Sequence, residues 1–295
     1  MSEYVLSACS TADLSKEHFE KRSISCIFFH YELDGKQYAD DFGQTIPLKD
    51  FYDAMRKGAD TKTSQVTMGE FIDYFEPMLK EGKDILHVSL SSGISGAVNS
   101  ARLAAEELSE KYPDRRIRIV DSLAASAGYG LLMDKLADLR DDGRGIDELE
   151  AWANDNKLKL NHWFFTTDLT YLIRGGRVSK TAGTLGGLLN ICPLLYVDNR
   201  GRLVAGHKVR GKSKVIQETW HQMLTHAQGG ADYSDKCYIS NSDCREDAKA
   251  LSNLIEAGMP HLKGKVEHFD IGTTIGAHTG PGTVALFFWG DERGE

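Results

Sequence analysis

Residues 84–121 read DILHVSLSSGISGAVNSARLAAEELSEKYPDRRIRIVD, and this stretch decides the fold class. The run DILHVSL (84–90) has the length and apolar content of a buried strand and ends in serines. From about Gly96 to Lys111, strong helix formers dominate. RIRIV (116–120) is the next strand and stops at Asp121-Ser122. Strand, helix and strand in this order imply a parallel pair joined by a right-handed crossover. A second helical stretch, 124–139, follows, with Gly143 as its stop signal.

Working outward, Thr67-Met68-Gly69-Glu70 is a capping box. It opens a helix with Phe71, Tyr74, Phe75 and Met78 on one face, which Pro77 is expected to end or bend. Thr63 then falls in the loop before that helix. Downstream, His162-Trp163-Phe164-Phe165 is a strand, and Arg174-Gly175-Gly176-Arg177 a turn. A Gly-rich helical stretch leads to Asn190-Ile191-Cys192-Pro193. Apolar runs on either side of Asp198-Asn199-Arg200-Gly201 signal a hairpin. Helix, strand, helix and strand occupy 213–226, 236–240, 244–257 and 266–271, and TVALFFW (283–289) is a last buried strand. The expected fold is α/β, with parallel and mixed sheets flanked by helices. The change from an exposed helical pattern to apolar sequence near 159–162 suggests an N-terminal domain, 1–161, and a C-terminal domain, 162–295.

Hydrophobic residues make up 41% and charged residues 26% of the 295, as in an ordinary globular protein. The N-terminus shows no signal-peptide pattern, and no apolar run approaches the ~20 residues that span a bilayer. Five cysteines without Cys-x-x-Cys spacing suit free thiols in a reducing cytoplasm. The net charge of −8 disfavours non-specific nucleic-acid binding. Between Arg174 and Lys214, however, nine basic residues face the single acid Asp198, a local +8 that leaves −16 elsewhere. That segment is either a solvated face or a docking face for an acidic or phosphate-bearing partner.

Three polar segments stand out: Thr63-Ser64-Gln65, Ser92-Gly93-Ile94-Ser95-Gly96 and Gly276-Ala277-His278-Thr279-Gly280-Pro281-Gly282. Each joins hydroxyls or an imidazole to a turn-prone stretch, where exposed N–H groups favour a carboxylate or phosphate. None carries the acidic cluster of a catalytic metal site. Ser95 admits three readings. It can cap the following helix. It can be a nucleophile, since Gly93-Ile94-Ser95-Gly96-Ala97 approximates Gly-x-Ser-x-Gly and His278 lies downstream; a serine hydrolase of acyl esters would follow. Or Ser95, with the Gly96 N–H, Thr63 and His278, can grip an anion, because a buried carboxylate needs several convergent donors. No Gly-x-x-x-x-Gly-Lys-[Ser/Thr] segment marks the chain itself as a kinase.

These segments carry a resemblance to the DegV family, fatty-acid-binding proteins that serve as acyl-carrying subunits of bacterial fatty acid kinase. It extends from about Tyr4 to Gly290 through the three segments above, Val120-Asp121-Ser122, the stretch from Tyr171 to Ser179 (YLIRGGRVS) and Leu189-Asn190-Ile191-Cys192-Pro193-Leu194. The resemblance implies a two-domain fold with one long-chain fatty acid in a tunnel between and within the domains. It implies no catalysis by this chain and no cofactor. Thr63 and Ser95 match the positions that bind the carboxylate; His278 lies beside them, with Ser64, Gly96 and Thr279 as neighbours. Phe164, Phe165, Leu188, Ile191 and Ile271, with Leu185, Leu189 and Phe287, are expected along the acyl chain. Arg174 and Arg202 match partner-facing positions for a separate kinase subunit, which would convert the carboxylate to an acyl phosphate for phospholipid synthesis. Transient contact with a membrane surface and a role as lipid sensor fit the same pocket. Three departures stand out: Cys9 replaces the usual Asp, Ile27-Phe28-Phe29-His30 stands where a Pro-Leu pair is usual, and Ala97 replaces a Thr. At about 0.8 kcal/mol per buried CH₂, a sixteen-carbon tail offers on the order of 10 kcal/mol before ordering costs, so the tail sets affinity and the donors set orientation.

Overall fold

A computed structural model describes residues 3–178 and 191–294. Its strands, in chain order, are β1 (Tyr4–Cys9), β2 (Ile24–Ile27), β3 (His30–Leu33), β4 (Lys36–Ala39), β5 (Thr61–Ser64), β6 (Asp84–Ser89) and β7 (Ile117–Asp121). They continue with β8 (Leu160–Phe165), β9 (Ile191–Val197), β10 (Leu203–Arg210), β11 (Cys237–Asn241), β12 (Val266–Asp270) and β13 (Val284–Trp289). The first sheet has the order β2-β1-β6-β7 and is parallel throughout. The second is a six-stranded mixed sheet, β10-β9-β8-β13-β11-β12, and β4-β3-β5 form a small antiparallel sheet. The α/β expectation from residues 84–121 is met, as is the hairpin, whose strands β9 and β10 pair antiparallel around Asp198–Arg202.

Both faces of the parallel sheet are covered, which explains its nearly unbroken apolar strands. Helices Met68–Lys80 and Ala97–Lys111 bury Phe71, Phe75, Ala101 and Leu108 on one face. On the other, helix Ser126–Asp141 lies in a core that runs from Leu6 and Val88 to Phe165, Leu194 and Leu286 of the mixed sheet. This helix closes the gap between the two large sheets. Tyr129 on it accepts the Cys9 N–H at 2.9 Å and donates to the Val88 carbonyl, pinning the carboxyl ends of β1 and β6 together.

Three local expectations need correction. Helix Met68–Lys80 keeps its capping box and continues through Pro77, so the proline does not end it. Pro77 and Asp73 both stand on its exposed side, so the carbonyl deprived of a partner faces water. Thr63 lies not in a loop but in β5, opposite Tyr31 of β3. His278 lies not in a glycine loop but in helix Thr273–Thr279. Buried acids hold that helix's start: Gly272 N–H donates to Asp13 at 3.0 Å, and Thr273 N–H and Oγ1 donate to Asp40 at 3.1 and 2.7 Å. Gly280, at φ 73°, ends it.

Candidate functional site

The helix after β1 leads to β2 on one side, whereas the helix after β6 leads to β7 on the other. The loops leaving β1 and β6 therefore diverge, and a crevice opens at their carboxyl ends, the usual ligand position in an open α/β sheet. The 91–96 loop forms its rim. Asp121 Oδ1 accepts the N–H groups of Ser92 and Leu123, each at 3.1 Å. Ser91 Oγ accepts the Gly93 N–H at 3.0 Å and donates to Gly201 O at 2.8 Å. The hairpin tip is thus fastened to the loop that carries Ser95. A Cβ on Gly93 would sit 2.5–2.6 Å from the Arg200 and Gly201 carbonyl oxygens, so only glycine permits this approach.

A cavity of about 560 Å³ opens here. Thr63, Ser64, Ser95, Gly96, His278 and Thr279 all line it. So do the apolar residues Phe29, Leu90, Ile94, Phe164, Leu172, Val197, Leu203, Ile271, Ile275 and Phe287. One wall comes from β8 and β13, another from helix Thr273–Thr279, and the rim from β5 and the 91–96 loop. Of the expected acyl-chain residues, Phe164, Ile271 and Phe287 line the cavity, whereas Phe165 and Ile191 do not. Successive strand side chains alternate between faces, so β8 turns His162 and Phe164 to the cavity and buries Phe165 behind them. Ile191 stands six residues, roughly 20 Å, along β9 from the lining residue Val197. Leu185, Leu188 and Leu189 lie outside the described residues.

The head of the site is polar and nearly free of acid. Thr63 Oγ1 and His278 Nε2 are 2.7 Å apart. Burial, reinforced by Arg177 and Arg174, lowers the His278 imidazole to about 4, so it is neutral at pH 7. Ser95 Oγ accepts the Ala97 N–H at 3.3 Å, a local cap on the helix that Gly96 leads into. Gln65 Nε2 donates to Ser100 Oγ at 3.2 Å, and its side chain lies against Gly96. The described contacts include no Ser95–imidazole bond of the kind that activates a serine nucleophile. Among the described residues, no three His, Cys, Asp or Glu side chains are grouped to hold a metal.

Several lining residues are not expected at the site from sequence: Arg177, His162, Thr274 and Ile275, and Gln65 is noted only within its polar segment. The sequence reads Arg177 as part of a turn and of the basic segment, with no ligand role. Its guanidinium is half-buried, which lowers its pKa, and Nη1 donates to Gly175 O at 2.5 Å. Thr274, Ile275 and His278 share one face of helix Thr273–Thr279, with Ile271 just before its start, an arrangement legible once the segment is read as helix. Arg174 is exposed, donates to Thr61 Oγ1 at 3.1 Å and stacks on Tyr171. Arg202 is exposed and paired with buried Asp198, Nη2 to Oδ2 at 2.8 Å. Cys9 does not line the cavity; its Sγ lies 3.6 Å from Nε2 of buried His87, in the core.

Comparison with known proteins places the chain in a family. The model of the family described as "Uncharacterised protein, DegV family" matches residues 9–291. A DegV domain-containing protein of Clostridium perfringens is 38% identical over 293 residues, 99% of each chain. Among solved structures, a fatty-acid-binding DegV family protein from Thermus thermophilus shares 26% identity at a TM-score of 0.86, covering 99% of this chain and 100% of that one. The Fatty Acid Kinase B3 protein of Streptococcus pneumoniae, loaded with linoleic acid, shares the fold at a TM-score of 0.84 and 22% identity, over 98% and 100% of the two chains. With matching sequence along nearly its whole length and the same arrangement of sheets, this chain belongs to the DegV family.

Proposed function

We propose that the protein binds one long-chain fatty acid and presents its carboxylate to a separate kinase, which makes an acyl phosphate for phospholipid synthesis. The observation that carries this reading is the convergence of Thr63, Ser95, Gly96 and His278 at one end of a largely apolar cavity. Thr63 and Ser95 supply hydroxyl donors and Gly96 an N–H at a helix start, with Ser64 and Thr279 beside them. The neighbouring Arg177 supplies positive charge, and no acid lines the cavity beside it among the described residues. Phe164, Ile271 and Phe287 hold the tail. The fatty-acid ligand of the Thermus thermophilus relative supports the ligand class. The kinase partner rests on the basic segment, which contains Arg174 and Arg202, and on the family resemblance. In this reading the chain is a non-catalytic cytoplasmic carrier; no helix among the described residues is long and apolar enough to cross a membrane.

The test is mass spectrometry of the organic extract from natively purified protein. Near-stoichiometric recovery of a C14–C18 fatty acid is the expected result. An empty extract, together with failure to bind added palmitate, would refute the carrier reading.

A further inference from the structure

A neutral imidazole has one proton for two ring nitrogens, and the surroundings of His278 distinguish them. Nε2 lies 2.7 Å from Thr63 Oγ1. Nδ1 is buried and makes no hydrogen bond among the described residues. Gly175 covers it: a Cβ on that glycine would collide with Nδ1, so one of the two α-hydrogens points there instead. A Cα–H is a weak donor; it is attracted by a bare lone pair and opposed by an N–H. A proton on Nδ1 would also leave a buried donor unmet, which costs its full desolvation. The Arg174 and Arg177 guanidinium groups oppose protonation of both nitrogens at once.

We propose that the His278 proton sits on Nε2 and is donated to Thr63 Oγ1, so that the Thr63 hydroxyl turns its own hydrogen into the cavity. His278 is then a positioning residue that fixes Thr63 as a donor. The head of the cavity accepts oxygen anions, a carboxylate or the acyl phosphate made from it, and offers little to a head group that must itself donate. This rests on the fatty-acid reading for the identity of the ligand, though not for the placement of the proton.

Two measurements on the full chain test it. In ligand-free protein labelled with ¹⁵N-histidine, a long-range ¹H–¹⁵N spectrum at pH 7 reports the tautomer of His278, assigned by the signal lost in His278→Gln. The Nε2–H form is expected, and an Nδ1–H form overturns the proposal. Palmitate affinity is then compared between His278→Gln and His278→Asn, by displacement of a fluorescent fatty acid. A Gln amide nitrogen reaches the place of Nε2, whereas that of Asn reaches the place of Nδ1. Gln is expected to bind about tenfold tighter than Asn, the scale of one hydrogen bond to a charged group. Equal affinities would overturn the positioning role. An Nε2–H signal in wild-type protein that binds no palmitate would support the proton placement and remove the fatty-acid reading instead.

Discussion

Ser95 Oγ accepts the Ala97 N–H, which leaves its hydroxyl hydrogen for a ligand, and Thr63 stands across the cavity rim on an unrelated strand. Ser95→Ala and Thr63→Ala are each expected to weaken palmitate binding about tenfold, and because both donate to one carboxylate the double variant is expected to depart from the product of the two, a coupling that a double-mutant cycle reads. Unchanged affinity in both single variants would remove the carboxylate site. Phe29 makes a second residue-scale argument. It occupies the stretch where the family commonly has a Pro-Leu pair, is 3% exposed and lines the cavity. Phe29→Leu should enlarge the cavity and move the bound-lipid profile toward longer or bulkier chains, read by mass spectrometry of the extract. An unaltered profile would show that Phe29 does not set chain length. At this scale the sequence displayed the polar residues, because Ser, Thr and His beside glycine stand out. Phe29 and Arg177 were less visible: a lining residue and a core residue have the same composition, and only the fold separates them.

Elements carry the next level. Strand–helix–strand order across 84–121 was legible because apolar periodicity records which face is buried. The β8 pocket face was also within reach: if Phe164 faces the cavity, the period of two assigns His162 to it and removes Phe165. Helix Thr273–Thr279 was less legible, since glycines at 272, 276 and 280 imitate a loop. What fixes that helix is tertiary, the carboxylates of Asp13 and Asp40 arriving from sites more than two hundred residues away. Two stability predictions belong here. Thr67 caps helix Met68–Lys80 in both directions, so Thr67→Ala should lower unfolding free energy by about 1 kcal/mol in denaturant titrations. Gly93→Ala should be worse, about 1–3 kcal/mol, because its Cβ meets two carbonyl oxygens of the hairpin tip rather than a side chain that can move. If Gly93→Ala proves neutral, the hairpin is not fastened to the Ser95 loop in the way Ser91 and Gly201 indicate.

Over the whole molecule, buried ionisable groups and the uneven surface charge have separate consequences. Burial lowers His87 to about 3, His278 to about 4 and His162 well below its ordinary value. Each takes up a proton on unfolding between its folded pKa and about 6.5, so each makes stability rise with pH in that window. Asp13 opposes them: burial raises its carboxyl above the ordinary value, so its contribution to the slope above about 4 has the opposite sign. Three uptakes against one release leave a net positive slope, with about 1.4 kcal/mol per pH unit for each proton. Unfolding free energy measured between pH 5 and 6 should therefore increase with pH, and a flat or falling profile would contradict these assignments. Surface charge bears on the proposed kinase docking instead. Arg202 is partly structural, since Asp198 is 1% exposed and Arg202 is its paired cation; a carboxylate at 202 would unsettle the hairpin as well as the face. Neutralisation is the cleaner probe: Arg202→Gln with Lys208→Gln and Arg210→Gln, the last two exposed on β10 and remote in sequence from the carboxylate residues. Docking driven by this face depends on long-range attraction, which added salt screens. The triple variant should thus form acyl phosphate about tenfold more slowly with the cognate kinase at low salt, and the gap from the parent protein should narrow as ionic strength rises. Its co-purified fatty acid should remain that of the parent, because the substitutions leave the cavity lining untouched. Equal rates at low salt would place the kinase on another surface.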